Sequence, residues 1–355
     1  MIVWIFWNRI SCMRRNDKKK IAVELYFYSK NSIPVVKTLL PSPFLYYISM
    51  TVPDFLEHDR DVGFLSAFKT PAKARYFLDI TERDQIDLLP IAYSFAREQG
   101  IPLMIIGGGT NCFFAFDVYE GIIVRNRYSG YSEPFEEKGN RYIRVHSGEM
   151  STVFARALYQ HYSISVLVPW TGLPGTMGWA CIGNAGCFGI EMSDVLIEAE
   201  VLDLESGLTH VYTHDDMEYV YRKSILKGNE QFFVISMLLE VSSQENDTYG
   251  TYTPVDIQAI RKVKQPPGLS CGSFFQNPPL HSAGSLIDEA GLKGTRIGWV
   301  KISEQHGNFF INDQKWTWQD IIALRDLIRE TIRDRYQIEL EDEVRIVTNM
   351  TENNN

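Results

Sequence analysis

The stretch 101-IPLMIIGGGTNCFF-114 decides the fold of this chain, because three consecutive glycines follow directly on a buried apolar run. Residues 101–106 predict a strand, and the glycines predict a turn that adopts positive φ and turns backbone N–H groups toward an anion. A dinucleotide-binding Rossmann unit needs G-x-G-x-x-G at the start of a helix. Here the aromatic and β-branched run 112–126 predicts strand, loop and strand, which indicates a different phosphate cradle.

A second glycine-rich stretch, 169-PWTGLPGTMGWACIGNAGCFG-189, supports this interpretation. Seven residues of 172–189 are Gly or Pro. Each ordered glycine costs backbone entropy, so a purely structural loop has little use for so many. We therefore predict a long loop over 166–189 that clamps a large cofactor through its backbone. Trp179 and Phe188 either pack on an aromatic ring of that cofactor or belong to the core.

The composition is that of a globular protein of two or three domains, with 355 residues, 45% hydrophobic and 22% charged. A net charge of −9 argues against nonspecific nucleic-acid binding. The five cysteines show no metal-ligand spacing and indicate free thiols in a reducing cytoplasm. His210 and His214 lie in a predicted strand and turn, so we expect no metal site. No apolar run is long enough to span a bilayer.

Residues 1–50 differ in charge from the rest of the chain. They carry eight Lys/Arg and two Asp/Glu, a balance of +6, which leaves −15 for the other 305 residues. Two explanations remain open: Met50 is the true start of translation, or the apolar tip is a short membrane-surface anchor. An apolar tip of seven residues without an amphipathic helix binds a membrane weakly, so we expect no stable membrane association.

Hydrophobic periodicity predicts alternating strands and helices from residue 55 onward. The predicted strands are 76–80, 101–106, 195–204, 232–241, 273–275, near 299–302 and 307–311, and 343–347. The predicted helices are 82–99 with a stop at Gly100, 152–160, 255–263, 281–290, and 317–335 with a capping box of Thr317 and Asp320. The polar run 242–252 predicts a domain boundary.

Six motifs in one order and spacing resemble the UDP-N-acetylenolpyruvoylglucosamine reductase (MurB) family over roughly residues 60–348. They are GGGTN, GLPGTMGWACIGNAGCFG, YRKSILK, CGSFFQNP, AGSLIDEAGLKGTRIGWVKISEQHGNFFIN and EVRI. The resemblance implies an α+β fold with a two-lobed FAD-binding region of the vanillyl-alcohol-oxidase type and an α+β substrate-binding domain. The implied domains are a non-family extension at 1–55, the FAD-binding region at 56–245, the substrate-binding domain at 250–348 and a tail at 349–355.

The resemblance also implies an activity. The chain is expected to bind FAD, take a hydride from NADPH, and reduce UDP-N-acetylglucosamine enolpyruvate to UDP-N-acetylmuramate in the cytoplasm, as a monomer. This step belongs to peptidoglycan precursor synthesis, and so to cell-wall biogenesis, cell shape and cell division. Two alternatives stay open. One is another FAD-dependent oxidoreductase, such as a carbohydrate oxidase with Cys181 or Cys187 as flavin tether. The other is a flavin-binding protein without turnover.

Three residues match the catalytic positions of the family. Hydride addition to the enolpyruvyl group builds negative charge next to a carboxylate, so the site needs a cation and a proton donor. Ser273 matches the proton donor, and Arg222 matches the arginine that holds the substrate carboxylate through its planar fork. Glu343 matches a glutamate with an orienting and charge-balancing role.

The remaining matched positions are binding residues. Lys264 and Asn277, like Arg222, are expected to bind substrate, the first two at its diphosphate and sugar end. The expected cofactor-binding residues are Gly107, Gly108, Gly109, Thr110, Asn111, Gly172, Pro174, Gly175, Thr176, Gly178, Asn184, Gly186 and Gly189. Trp179 and Thr110 depart from the family, which has a small residue and a serine there. Neither Tyr249 nor Tyr252 aligns with the family's lid tyrosine.

Overall fold

The computed structural model describes residues 52–242, 252–312 and 317–349, with the backbone of two short strands nearer the start of the chain. The chain divides into two units, Met1–Asp54 and Phe55–Asn355. In the first unit, β1 (Ile5–Trp7) pairs antiparallel with β2 (Leu25–Phe27). The predicted boundary at 242–252 and the tail lie largely outside the described residues, and the domain limits stay predictions.

A four-stranded sheet, in the order β3-β4-β7-β5, forms the first lobe of the second unit. Its strands β4 and β7 are parallel, as are β5 and β7. Two helices connect β4 to β5. The elements of this lobe are β3 (Glu57–Asp61), β4 (Lys73–Ile80), α1 (Arg83–Ile86), α2 (Leu89–Gln99), β5 (Leu103–Ile106), β6 (Cys112–Phe114) and β7 (Val118–Asn126).

A five-stranded antiparallel sheet, in the order β13-β12-β14-β9-β8, forms the second lobe. The second glycine-rich stretch begins in the core of this lobe, where Trp170 is fully buried. The elements are β8 (Phe135–Glu137), β9 (Asn140–His146), α3 (Ser151–Tyr162), α4 (Met177–Ile182), β10 (Gly186–Cys187), β11 (Ile190–Glu191), β12 (Leu196–Asp203), β13 (Thr209–Thr213) and β14 (Phe232–Glu240).

The C-terminal part packs its second and third helices and a small antiparallel sheet around a phenylalanine-rich core. This core also contains Phe68 and Phe113 of the first lobe. The last described strand pairs parallel with β6 and so lies against the first lobe. The elements are α5 (Pro254–Lys264), α6 (Ala283–Glu289), β15 (Arg296–Ile297), β16 (Val300–Ile302), β17 (Phe310–Asn312), α7 (Trp318–Tyr336) and β18 (Arg345–Val347).

Most predicted elements are present, and α7 begins after Thr317 with the expected capping box. Three predictions need correction. The helix 82–99 is two helices, since Pro90 lacks the N–H that a continuous helix requires and starts a new one. The loop 166–189 contains helix α4 and strand β10, which pairs with β11 directly after the loop. Residues 273–275 form only isolated bridges, from Ser273 to Phe309 and from Phe275 to Asp342.

Gly109 tests how tightly the first glycine turn is packed. Its φ is +64°, and an added β-carbon would overlap the carbonyl oxygen of Leu65. Gly100 has the same φ of +64° but no atom within 4 Å of such a β-carbon. We expect Gly100→Ala to cost only the left-handed backbone, about 1 kcal/mol of unfolding free energy. Gly109→Ala should cost at least about 2 kcal/mol more, because backbone must move.

Urea unfolding of both alanine variants, followed by circular dichroism, measures this difference. Because the two glycines share one φ, the conformational penalty is matched and the comparison isolates the collision with Leu65. Equal losses of stability in the two variants would show that the turn is free to relax.

Candidate functional site

The two glycine-rich stretches meet and expose unpaired backbone donors. A β-carbon on Gly108 would lie 3.4 Å from Cα of Gly175, so the two backbones touch. Within the described residues, six N–H groups at this junction donate to no protein acceptor. They belong to Gly108, Gly109, Thr110, Asn111, Gly175 and Thr176. Successive unpaired donors of this kind can form an anion-binding nest, which would fit the pyrophosphate of a dinucleotide such as FAD.

A buried hydroxyl at the same junction also lacks a partner. Oγ1 of Thr176 is buried and makes no hydrogen bond within the described residues. A β-carbon on Gly107 would overlap this oxygen and lie 2.6 Å from Cδ1 of Trp179. An orphaned buried hydroxyl costs stability unless a ligand accepts from it or donates to it. The residues present therefore fit the cofactor that the sequence predicts.

Asn111 links the first glycine turn to the C-terminal segment. Its side-chain amide donates to the carbonyl oxygen of Glu343 at 3.0 Å, and its own carbonyl accepts from the N–H of Arg345 at 2.9 Å. The N–H of Glu343 in turn donates to the carbonyl oxygen of Phe274 at 2.8 Å. Ser273, one residue earlier, is thereby placed beside the Glu343 backbone and near the nest.

Arg222 reaches across the second glycine stretch with its guanidinium held at three points. Nη2 donates to the carbonyl oxygen of Gly186 at 2.7 Å, and Nη1 donates to that of Asn184 at 3.2 Å. Nη1 also lies 3.4 Å from Oε1 of Glu191. The backbone of Arg222 is left-handed, with φ of +58°. A non-glycine residue in this region is uncommon and often marks a functional constraint.

The carboxylate of Glu343 is half-buried and makes no hydrogen bond or ion pair within 4 Å in the described part of the chain. Burial raises its pKa, because a charged carboxylate loses solvation, and the positive charges of Arg222 and Lys227 lower it in part. The charge of Arg222 therefore acts on Glu343, although the two form no ion pair within 4 Å. The hydroxyl of Ser273 likewise has no hydrogen bond within the described residues.

The other expected cofactor-binding residues serve the shape of the loop. Gly172 has φ of +80°, and a β-carbon there would lie 2.8 Å from Cδ of Arg261. Gly178 lies inside α4 against Ser147, and Gly189 has open space around it. Asn184 donates to Glu191 and accepts from the N–H of Ser193. Pro174 is exposed in the turn before Gly175.

The described contacts do not place Asn277 or Lys264, the two other expected substrate-binding residues, in the site. Asn277 is exposed, and its Oδ1 accepts from the N–H of Ala283 at the start of α6, at 3.1 Å. Lys264 is the last residue of α5, and its side chain lies outside the described part of the chain. The roles of both stay predictions. Tyr249 also lies outside the described residues.

Sequence reasoning missed three residues at this site. Arg261 is buried and donates to the carbonyl oxygens of Thr171 and Pro169 at 2.8 and 3.3 Å, which pins the second glycine stretch to α5. Glu191 forms an ion pair with Arg222, and Nζ of Lys227 donates a hydrogen bond to the carbonyl oxygen of Arg222. Of the three, only Lys227 had a signal in the sequence, as the last residue of the motif YRKSILK. The other two make contacts between distant segments, which leave no local pattern.

Three further observations bear on the class of protein. Within the described residues, no group of three His, Cys, Asp or Glu side chains is arranged to hold a metal ion. The four described cysteines are free thiols. None of the described helices combines the length and the apolar character needed to cross a membrane.

The fold and the nest define a flavin-binding oxidoreductase. Residues 85–212 match the FAD binding domain, and residues 263–347 match the C-terminal domain of UDP-N-acetylenolpyruvoylglucosamine reductase. A protein of that name from Chloroflexus aurantiacus is 34% identical over 310 residues, covering 84% of this chain and 99% of the relative. The chain belongs to the UDP-N-acetylenolpyruvoylglucosamine reductase (MurB) family.

Other comparisons agree. A Bacillus subtilis protein of the same name is 29% identical over 263 residues, covering 74% of this chain and 85% of the relative. The crystal structure of the MurB protein from Thermus caldophilus superposes with a TM-score of 0.63 at 24% identity, covering 82% of this chain and 99% of that one. The expected α+β fold with a two-lobed FAD-binding region is thereby confirmed.

Thr176→Val tests the fit of the nest to FAD. Valine keeps the shape of threonine but removes the unpaired hydroxyl. We expect the protein without FAD to be equally or more stable, because a buried group without a partner is lost. The dissociation constant for FAD should rise by about tenfold or more, since a hydrogen bond to a charged group is lost. Fluorescence titration of the stripped protein with FAD measures this constant.

Thr171→Val is the matched control for this titration. It removes another buried, unpaired hydroxyl, but Thr171 lies at Arg261 rather than at the first glycine turn. We expect its FAD affinity to stay within about twofold of the wild type. An equal weakening in both variants would mean that valine disturbs the loop and that Thr176 has no particular role.

Glu343→Gln tests the burial of the free carboxylate. Because the pKa of Glu343 is raised in the folded protein, the folded state holds this proton more tightly than the unfolded state. The resulting stabilisation is complete below the unfolded pKa and is lost as the pH rises through the folded pKa. Relative to wild type, the glutamine variant should therefore be more stable at pH 8 than at pH 4. Urea unfolding at both pH values measures this, with the exposed Glu339→Gln as control. The same pH trend in both variants would contradict the assignment.

Proposed function

We propose that this chain reduces UDP-N-acetylglucosamine enolpyruvate to UDP-N-acetylmuramate with NADPH as the hydride donor, a step of peptidoglycan precursor synthesis. Membership of the family supports the reaction class. The observation that carries the proposal is the carboxylate of Glu343, which has no hydrogen bond or ion pair in the described residues and is influenced by the charge of Arg222. Its backbone N–H donates to Phe274, the residue after Ser273, whose hydroxyl is also unpaired in the described residues. The free thiols of the four described cysteines support a reducing cytoplasm as the compartment.

Bound FAD would supply the hydride that adds to the enolpyruvyl double bond. The six unpaired N–H groups and Oγ1 of Thr176 would hold its pyrophosphate between the two lobes. In the substrate, the charge that develops at the carbon next to the carboxylate needs a cation and a proton. These are the tasks that remain for the side chains of the site.

Arg222 would bind the substrate carboxylate. Its guanidinium is fixed on one side by carbonyl oxygens and Glu191, so its position is set before the substrate arrives. Fixed cations stabilise developing charge without reorganising during the reaction. Ser273 would deliver its Oγ proton to the carbon next to the carboxylate. Glu343 would balance the charge of Arg222 and orient the proton donor.

The far end of the substrate would lie toward α5 and α6. Lys264, at the end of α5, has the charge that a diphosphate requires, and Asn277 precedes the first turn of α6. Because Oδ1 of Asn277 already accepts from Ala283, its amide N–H groups are the part available to a sugar hydroxyl. No observation favours a flavin tether at Cys181. Its side chain is fully buried, and its Sγ lies within hydrogen-bond distance of the Tyr219 hydroxyl.

An anaerobic spectrum tests the activity. NADPH should bleach the flavin absorbance band of the purified protein, and the enolpyruvyl nucleotide-sugar should restore it. Since no second dinucleotide-binding motif occurs in the sequence, NADPH and substrate are proposed to use one pocket in turn. Double-reciprocal plots should then give parallel lines. Intersecting lines would contradict alternation, and bleaching without recovery would indicate another flavin oxidoreductase.

Ser273→Ala tests the proton donor. We expect the steady-state rate of product formation to fall by about 10²–10⁴-fold, the usual contribution of a positioned acid. Bleaching by NADPH should keep its wild-type rate, since that half of the reaction does not use the serine. The two half-reactions are measured separately in a stopped-flow spectrometer. A parallel loss of both rates would assign Ser273 a structural role, and an unchanged product rate would exclude it as the donor.

A further inference from the structure

Lys227 is an exposed residue that contacts the candidate site at Arg222, although no motif position assigns it a role. Its Nζ donates to the carbonyl oxygen of Arg222 at 2.7 Å. This carbonyl belongs to the residue whose backbone is left-handed, with φ of +58°. A strained backbone persists only where its surroundings hold it, and the ammonium of Lys227 is one such contact.

The two ends of Arg222 are thus held by different parts of the chain. The guanidinium is held by the second glycine stretch through Asn184 and Gly186. The backbone is held by Lys227 and by a two-way backbone bridge between Val220 and Lys223. Because its guanidinium and its backbone are both held, the Arg222 side chain cannot rotate away from this position.

Lys227 also adds a positive charge near the carboxylate of Glu343. Arg222 and Lys227 are the two positive groups that favour the charged form of Glu343, against the effect of its burial. The neighbouring charges along the C-terminal segment are engaged elsewhere. Asp342 pairs with Arg325, and Arg345 pairs with Glu230. Glu191 pairs with Arg222 from the opposite side. Without Lys227, the positive charge of Arg222 alone would balance the carboxylates of Glu191 and Glu343.

We propose that Lys227 is a positioning residue, whose ammonium holds the Arg222 backbone in its left-handed form and adds a positive charge near the carboxylate of Glu343. The inference rests on the proposed function of Arg222 and Glu343. Lys227 acts through these two residues and need not touch the substrate. The hydrogen bond and the charge are separable, because glutamine can donate to the Arg222 carbonyl without a charge, whereas methionine keeps only the length of the side chain.

The first test needs no activity. Glutamate selectively labelled with ¹³C at the carboxyl reports the titration of Glu343 in the FAD-loaded protein, with its resonance assigned by its loss in Glu343→Gln. Removing a nearby positive charge raises the pKa of a carboxyl group. We expect the titration midpoint of Glu343 to rise in both Lys227→Met and Lys227→Gln. Lys223→Met, which removes an exposed charge three residues after Val220, is the control and should leave the midpoint in place.

The second test is kinetic. We expect Lys227→Met to raise KM for the enolpyruvyl substrate by about tenfold, since Arg222 loses its fixed position, and to move the acid limb of kcat/KM to higher pH. Lys227→Gln should recover most of KM while the limb stays displaced. Lys223→Met should change neither quantity. Circular dichroism and the FAD content of each variant confirm that it is folded.

The outcomes separate the two proposals. An unmoved Glu343 midpoint in Lys227→Met, or equal effects in Lys223→Met, would overturn the role of Lys227. A KM in Lys227→Gln as high as in Lys227→Met would overturn the role of the hydrogen bond and leave only that of the charge. A moved midpoint in a protein whose wild type lacks reductase activity would keep the coupling and overturn the proposed function.

Discussion

The parallel pairing of β18 with β6 is the interaction on which the site depends. Arg345, Ile346 and Val347 pair with Cys112, Phe113 and Phe114, more than 230 residues earlier in the chain. The pairing begins at Asn111, the last residue of the first glycine turn, which bonds to both Glu343 and Arg345. One short ladder therefore ties the first glycine turn to the segment that carries Glu343.

Core packing makes this short ladder reliable. Phe113 of β6 is fully buried and joins Phe274 and Phe310 in the C-terminal core. Each such aromatic side chain contributes about 2–3 kcal/mol by burial. The carbonyl oxygen of the buried Phe274 accepts from the N–H of Glu343, so this core residue holds the backbones of Ser273 and Glu343 together. The core fixes the positions of these backbone segments. The polar groups beside it have no protein partner in the described residues and are available to ligands.

Local signals in the sequence predicted what depends on local chemistry. The glycine turn, the stop at Gly100 and the capping box at Thr317 follow from backbone rules, and the structure has all three. The order of motifs also pointed to Arg222, Ser273 and Glu343. The left-handed backbone of Arg222 was not predictable, because it depends on contacts with distant carbonyl groups. The capping of α6 by Asn277 was missed for the same reason.

Trp179 shows how a bulky residue fits into a loop built of small ones. Its indole packs on Gly107, where the absent β-carbon leaves room, and lies 5.6 Å from the guanidinium carbon of Arg345. Arg345 pairs with Glu230, which accepts from the N–H of Ile105 on the strand before the glycine turn. Trp179 thus connects both glycine stretches with the C-terminal strand. The bulk that the sequence alone left unexplained is accommodated because Gly107 and Arg345 frame it, so a change at any of the three would disturb the other two.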